Sequence, residues 1–539
     1  MTKFWSWLRQ VDKSADRYLV VLIIALAGLL LRIPSFFEPI WYGDEAIYLT
    51  IGHALNQGEV LYKDIVDHKT PLIYFLARLD DQTSLRLLTG IGMVVTTVFF
   101  FFLCQFFLKS KNQAYLATTA FMLLTTLPWL EGPMANGELW VLIFVIPALL
   151  IMTRIESIRV YFQHSQQFFP VKDKKDNWQL ILAGILLGLA VMTKVPAIFD
   201  LAAVYLLVFW PHFNSTLELL QTQKWRHLPS QLRPVINQYF YLSLGVGLPF
   251  LISILYFASQ SALADYLNYG LLYNFHYAGT WQPEFSSVLV AWWFSLPGKG
   301  LTLVFFILAG LILAKKHHKT AGFLLAWFGL DLFATLLSNR PYPHYLLQAV
   351  PPFILLLFVW WQNRRRPQVG LGLVMALVWL VISLQVINFY FYPTAVYFSR
   401  FFDKLTGQIT QAEYDSSFNS VIQDNLAITN YLHKNQVTRL YIWGSNPLLY
   451  AQGKFLPTTE LITLFHIDDL RAHPATLAQL QNNPPPFIVV MRNSPITYAP
   501  FANWLNTYYI PNHQFEQATL WKRVADPMIL GSTSLPRGK

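Results

Sequence analysis

The chain has one cysteine, Cys104, set inside an apolar run. An intrachain disulfide is thereby excluded, and a cysteine-based metal site is not expected. Charge is also scarce: 13% of the 539 residues are Asp, Glu, Lys or Arg, about half the share usual in soluble domains. Internal repeats are missing, which argues against a transporter built from paired halves, and there is no low-complexity tract. No short apolar core with a small-residue cleavage site follows the basic residues Lys3, Arg9, Lys13 and Arg17. The first apolar run is therefore expected to act as an uncleaved anchor.

What fills the chain instead is apolar surface, at 54% hydrophobic residues and a mean hydropathy of +0.38. Repeated apolar runs predict about eleven transmembrane helices. They lie near 18–37, 84–108, 113–130, 138–153, 178–193, 195–210, 239–259, 300–314, 321–338, 345–361 and 370–390. The net charge of +10 does not point to nucleic acid, because the cations sit in short loops between the runs.

Their distribution also predicts orientation. With a cytoplasmic N-terminus, the inner side collects Lys109 and Lys111, then Arg154, Arg159, Lys172, Lys174 and Lys175, then Lys224, Arg226 and Arg233, then Lys315, Lys316 and Lys319, and finally Arg364, Arg365 and Arg366. The outer side keeps only Lys63, Lys69, Arg78, Lys194, Lys299 and Arg340. The expected architecture is an α-helical polytopic domain over 1–395 and a small extracytoplasmic α/β domain over 400–539. In the latter, 414–433 has helical spacing, and Val437 to Trp443 and Phe487 to Met491 read as strands.

The first outer loop, 38–83, is too long to be a mere connector. It opens with Trp41-Tyr42-Gly43-Asp44-Glu45. Asp44 is expected to cap a helix whose apolar stripe is Ile47, Ile51 and Leu55, ended by Gly58. A second amphipathic piece is expected from Thr70 to Leu79, with Pro71 in its first turn. Both helices are expected along the membrane surface, with Asp44 and Lys69 at the interface. A carboxylate suits the base that takes a proton from an acceptor hydroxyl. Lys69, Arg340 and Lys194 suit a leaving phosphate that gains charge in the transition state. Glu45 reads as the supporting neighbour of Asp44. Asn136 and Glu138 lie in a short outer turn, while His344 and Tyr345 follow Arg340; these four and His68 are candidate substrate contacts. Asp200 and Asp331 fall inside apolar runs, where an acid is a functional candidate by default.

Three segments carry a family resemblance: Trp41-Tyr42-Gly43-Asp44-Glu45, Gly58-Glu59-Val60-Leu61-Tyr62-Lys63-Asp64, and Asp67-His68-Lys69-Thr70-Pro71-Leu72. Together they resemble the first outer loop of the protein O-mannosyltransferase and aminoarabinose transferase superfamily, membrane glycosyltransferases of the GT-C fold. Ser338-Asn339-Arg340-Pro341-Tyr342-Pro343-His344-Tyr345 is similar to that family's later basic motif. The resemblance implies transfer of a hexose or pentose from a polyprenyl-phosphate donor, with inversion, to a lipid, glycan or protein of the cell envelope at the outer face of the plasma membrane. It implies Asp44 as the catalytic base and Lys69 as a contact to the lipid phosphate. The family often has Glu-Lys-Pro-Pro where this chain has His68-Lys69-Thr70-Pro71, and lysine where Arg340 stands. No metal centre and no cofactor are expected. The competing readings are a lipid flippase without transferase activity and a diphosphate-dependent oligosaccharide transferase.

Overall fold

The computed structural model describes residues 16–163, 175–281 and 283–524. Lys3, Arg9, Lys13, Lys172 and Lys174, all part of the charge pattern above, lie outside the described residues.

All eleven expected runs are helical. Among the described residues, eight helices are long and apolar enough to cross a membrane. The count rises to nine if Gly137–Met152 and Glu156–Phe162, bent by 81° at their junction, form one span. Three of the expected eleven fall short: Lys111–Leu124, Gly137–Met152 and Asn177–Thr193. The first has 14 residues, or about 21 Å of helix against a hydrocarbon core of about 30 Å. The chain is a multi-pass membrane protein with a small sheet near its C-terminus.

Backbone packing divides it into two compact units. The helical unit comprises the first span, Arg86–Tyr256 and Asn274–Tyr397. Its tightest pairing is between Leu296–Lys316 and Lys319–Leu336, which turn back on one another at His317 and His318. A Cβ on Gly310 would lie 2.5 Å from the Gly322 carbonyl oxygen, and one on Gly322 would lie 2.3 Å from that of Gly310. Small residues let the two backbones touch, the usual means of packing helices where lipid offers no hydrophobic drive.

The far end of this pair is tied by Lys299, expected in an outer loop but found buried in the first turn of Leu296–Lys316. Its Nζ donates to the carbonyls of Leu336 (2.8 Å) and Leu337 (2.9 Å) and to Asn339 Oδ1 (3.3 Å). A cation here satisfies carbonyls that a helix C-terminus leaves open. Lys299→Met is expected to destabilise the protein by about 2–3 kcal/mol, the loss of charged hydrogen bonds at buried acceptors. Thermal unfolding in detergent measures it.

Asp200 and Asp331 also belong to this unit. Asp200 accepts from Trp327 Nε1 (3.2 Å) and Gln348 Nε2 (2.7 Å).

The second unit comprises Phe37–Leu85, Phe257–Tyr273 and the tail from Phe398. Its tail holds five strands: β1 (Arg439–Trp443), β2 (Leu456–Pro457), β3 (Phe487–Met491), β4 (Tyr509–Gln514) and β5 (Ala518–Arg523). They are ordered β2-β1-β3-β5-β4. β1 runs parallel to β2 and β3, and the β4–β5 hairpin adds antiparallel to β3. Tyr441 and Trp443 on β1 pack with Phe501, Trp504 and Leu505. The expected strands are β1 and β3; the hairpin was not anticipated, because β4 is mostly exposed and lacks an apolar alternation.

In the same unit, Gly43–Asn56 forms the first loop helix and packs on Pro447–Gly453 of the tail. Ile47, Ile51 and Leu55 are buried as expected, but so are Ala46, Tyr48, Leu49 and Thr50; the tail covers faces that a surface helix would leave open. Gly58, at φ +95°, follows the helix end. The second piece is shorter than expected, Leu72–Leu76 followed by a 3-10 turn, Ala77–Leu79. Further ties join loop to tail: Glu59 pairs with Arg439, and Asp80 pairs with Lys454 at 3.1 Å and with His53 at 3.0 Å.

Candidate active site

Asp44 is not the helix cap. The N-cap is Tyr42, in an extended conformation, because the chain enters the helix one residue before the acid. Asp44 and Glu45 sit in the first turn, where a carboxylate is favoured by the helix dipole. Their environments differ. Glu45 is buried, whereas the Asp44 side chain is 34% exposed and has Lys69 Nζ 3.4 Å from Oδ2. Tyr48, one turn on, donates its hydroxyl to the same oxygen at 3.3 Å. Lys69 is 9% exposed, and its ammonium lies 5.0 Å from the centroid of the Tyr48 ring. A carboxylate open to solvent on one side and a nearly buried ammonium on the other thus share one small region.

Lys69 is held by its backbone. Tyr62 donates its hydroxyl to the Lys69 carbonyl at 2.6 Å, and Lys69 N–H donates to the Tyr74 hydroxyl at 3.2 Å. Tyr62 itself takes φ +69°, costly for a bulky residue. Phe257 and Tyr266 hold its ring at centroid distances of 5.3 and 5.7 Å. Burial pushes the Tyr62 and Tyr74 phenols well above their ordinary range, so both remain donors.

Tyr74 donates onward to Asp67 Oδ2. Burial by itself would push the Asp67 carboxyl up, but the charges of His68 and Lys69 outweigh it and hold it well below the usual carboxylate range. Its other oxygen lies 3.0 Å from His68 Nδ1 and 3.2 Å from His466 Nε2. Asp67, His68 and His466 are all buried and bring one carboxylate oxygen and two ring nitrogens within 4.8 Å of one another. The sequence gives no signal for the third member, which lies 398 residues from His68.

The helical unit has its own polar cluster. Glu138, in the first turn of Gly137–Met152, pairs with Lys194. The Lys194 ammonium stands 4.1 Å from the centroid of the Tyr345 ring. His344 Nε2 lies 4.0 Å from Glu138 Oε1, and its Nδ1 meets Glu131. Tyr390 donates to Glu131 at 3.2 Å. Asn136 Nδ2 donates to the Glu131 carbonyl at 2.9 Å. Asn136, Glu138, Lys194, His344 and Tyr345, picked out separately in the sequence, thus stand together. Glu131 and Tyr390 were missed; the only hint was an acid beside the Gly132-Pro133 turn.

Arg340, in this same unit, donates to Thr280 Oγ1 at 2.9 Å and stacks its guanidinium over Tyr277, 4.3 Å from the ring centroid. Asp44 and Lys69 belong to the other unit.

Residues 76–263 match the family model described as dolichyl-phosphate-mannose-protein mannosyltransferase. No curated protein matches the chain. Among solved structures, ArnT from Cupriavidus metallidurans, bound to undecaprenyl phosphate, is similar over 94% of this chain and 98% of that one, at 13% identity and a TM-score of 0.52. An oligosaccharyltransferase from Archaeoglobus fulgidus, in its apo form, aligns over 89% of this chain and 70% of its own, at 13% identity and a TM-score of 0.44. AglB from the same organism, in complex with an inhibitory peptide and a dolichol phosphate, aligns over 96% and 75%, at 12% and 0.44. With its helical membrane domain and small C-terminal sheet, the chain has the GT-C fold that ArnT shows.

Proposed function

We propose that this protein transfers a sugar from a polyprenyl-phosphate donor to a hydroxyl of a cell-envelope acceptor (lipid, glycan or protein), with inversion at the sugar carbon. The observation that carries it is the Asp44–Lys69 pair: an accessible carboxylate 3.4 Å from a nearly buried ammonium. The family match to a dolichyl-phosphate-mannose enzyme and the undecaprenyl phosphate held by the ArnT structure support the donor class.

Asp44 takes the proton from the acceptor hydroxyl as that oxygen attacks the anomeric carbon. The bond from that carbon to the phosphate oxygen breaks, and its electron pair leaves on the polyprenyl phosphate. Lys69 offsets the charge that develops there. A single carboxylate that forms no bond to the sugar gives one displacement. Glu45, buried behind Asp44, supports the turn. Within the helical unit, Arg340 and Lys194 are assigned to donor phosphate, and Asn136, Glu138, His344 and Tyr345 to sugar hydroxyls. Arginine on an aromatic face keeps a planar fork that lysine does not provide. The skew of lysine and arginine between loops supports a cytoplasmic N-terminus, with chemistry at the outer face of the plasma membrane.

The test is transfer in detergent from a synthetic polyprenyl-phosphate hexose or pentose, with the product anomer assigned by NMR. Inverted product and released polyprenyl phosphate are expected. Retained configuration would sink the single displacement. Movement of the lipid across vesicles with no Asp44-dependent transfer would establish a flippase instead.

A further inference from the structure

We infer that a cavity at one edge of the tail's sheet binds an anionic glycan, a sugar chain bearing phosphodiester or carboxylate groups. The inference rests on the transfer reaction proposed above for one point only, that the bound chain is the acceptor.

The cavity measures about 440 Å³, within the range of small-ligand sites. It opens where β1 and β3 begin and β5 ends. Arg439 and Lys522 bring positive charge to its lining. Arg439 gives one N–H to the Pro457 carbonyl at 3.2 Å and another to Glu59. A guanidinium has five N–H donors, so others stay available. Lys522 is exposed and has no ion pair among the described residues. Gln436 and Asn483 add exposed amides. Thr458, just past β2, adds a hydroxyl: its Oγ1 is buried and has no hydrogen-bond partner among the described residues. A buried polar group of this kind calls for a partner, and a sugar hydroxyl supplies one.

Other occupants fit less well. β1 lies between β2 and β3, and β3 between β1 and β5, so an extended peptide finds no open strand edge here. Among the lining residues Phe487 is the one aromatic, and it is buried, so nucleic-acid bases have no ring to stack on. Amides, a hydroxyl and cations suit hydroxyls and anions on one chain. The wall is also rigid. Pro484-Pro485-Pro486 has fixed φ angles, Tyr509 donates its hydroxyl to the Pro485 carbonyl at 2.7 Å, and Arg523 N–H donates to that of Pro486 at 3.0 Å. A preformed wall loses little entropy on binding.

The cavity is joined to the acidic loop. Arg439 pairs with Glu59, and the chain running on from Thr458 bridges Leu461 to Val66. Glu59 follows the end of Gly43–Asn56, whereas Asp44 stands at its start. That helix is about 21 Å long. A glycan held at the cavity therefore reaches Asp44 only if it has several sugar units.

The full-length protein in detergent is titrated calorimetrically with a glycerol-phosphate oligomer, a galacturonate oligomer and a neutral glucose oligomer of equal length. At least one anionic oligomer is expected to bind saturably, more weakly as salt rises, and the neutral one at least about ten-fold more weakly. Which anion binds identifies its source. Lys522→Glu is expected to weaken binding more than about ten-fold. Should it elute as aggregate, Asn483→Ala is expected to weaken binding about three- to ten-fold in a monodisperse protein. Lys454→Gln, which removes an exposed lysine paired with Asp80 and outside the cavity lining, is expected to keep wild-type affinity. A wild-type protein that binds neither anionic oligomer, equal binding of the neutral one, or Lys522 and Asn483 variants that bind as wild type would overturn the inference. Binding is read without transfer, so an oligomer that binds but receives no sugar would leave the site standing and sink its role in holding the acceptor.

Discussion

Asparagine in place of Asp44 is expected to lower kcat for sugar transfer by about 10²- to 10⁴-fold, the range lost when a general base is removed. Donor KM should change little, because the proton is taken from the acceptor. The substitution is nearly isosteric, so the shape of the helix entry is kept. Two electrostatic losses accompany it. A carboxylate in a first helical turn contributes about 0.3–1 kcal/mol through the helix dipole. The ion pair with Lys69, 34% exposed on the acid side, adds about 1 kcal/mol or less after solvent screening. A Tm within a few degrees of wild type, combined with collapsed turnover, is therefore the expected pattern. Lys69→Gln should differ: it removes the cation from the leaving group and should raise donor KM as well as lower kcat. If Asp44→Asn turned over at the wild-type rate, Asp44 would have no part in proton transfer.

Alanine at Gly52 is expected to be the most destabilising single change in the acidic loop. In an ordinary helix interior, glycine to alanine gains about 1 kcal/mol. Here the added Cβ would stand 2.2 Å from the Ala77 carbonyl oxygen, 2.4 Å from its carbon and 2.9 Å from Arg78 N. These are backbone atoms and cannot rotate aside. Asn56 and Arg78 hold the same contact closed, with Asn56 Nδ2 donating to the Arg78 carbonyl at 2.8 Å and Arg78 Nε donating to Asn56 Oδ1 at 2.9 Å. The helix must shift, and overpacking of this kind costs about 1–3 kcal/mol or more. Transfer should fall too, because Asp44 rides on that helix two turns away. Gly43→Ala is the control for stability: nothing lies within 4 Å of a Cβ there, so Tm should stay level or rise. Equal melting of Gly52→Ala and wild type would show that the two backbones do not meet so closely.

These two residues also mark what the sequence made legible. Asp44 and Lys69 stand out because charge is rare in this chain, and both fall in a loop between apolar runs. Local chemistry identifies them, and they do meet. The same logic picks Asn136, Glu138, Lys194, His344 and Tyr345, each at the end of an apolar run. Spans are legible because twenty apolar residues leave few alternatives; hydropathy does not see where a helix bends, as at Thr153, between Gly137–Met152 and Glu156–Phe162. Gly52 carries no such signal, since its partner is a backbone carbonyl in the next short helix. Glu131 and His344 are 213 residues apart and Tyr390 lies 259 from Glu131. No periodicity or motif links positions so distant. The tail's β4–β5 hairpin was missed for a third reason: β4 begins at the end of Ala499–Tyr508, so helix and strand patterns run together.

The backbone bridge between Val66 and Leu461 has a consequence for how the chain comes into being. At about 5–20 residues per second, a ribosome needs on the order of 20–80 s to travel from His68 to His466. For that time the acidic loop has been synthesised and its partner strand has not. The nascent protein therefore passes through an immature period with its spans made and its loop unfinished. The loop is finished only once the segment that carries Leu461 has emerged.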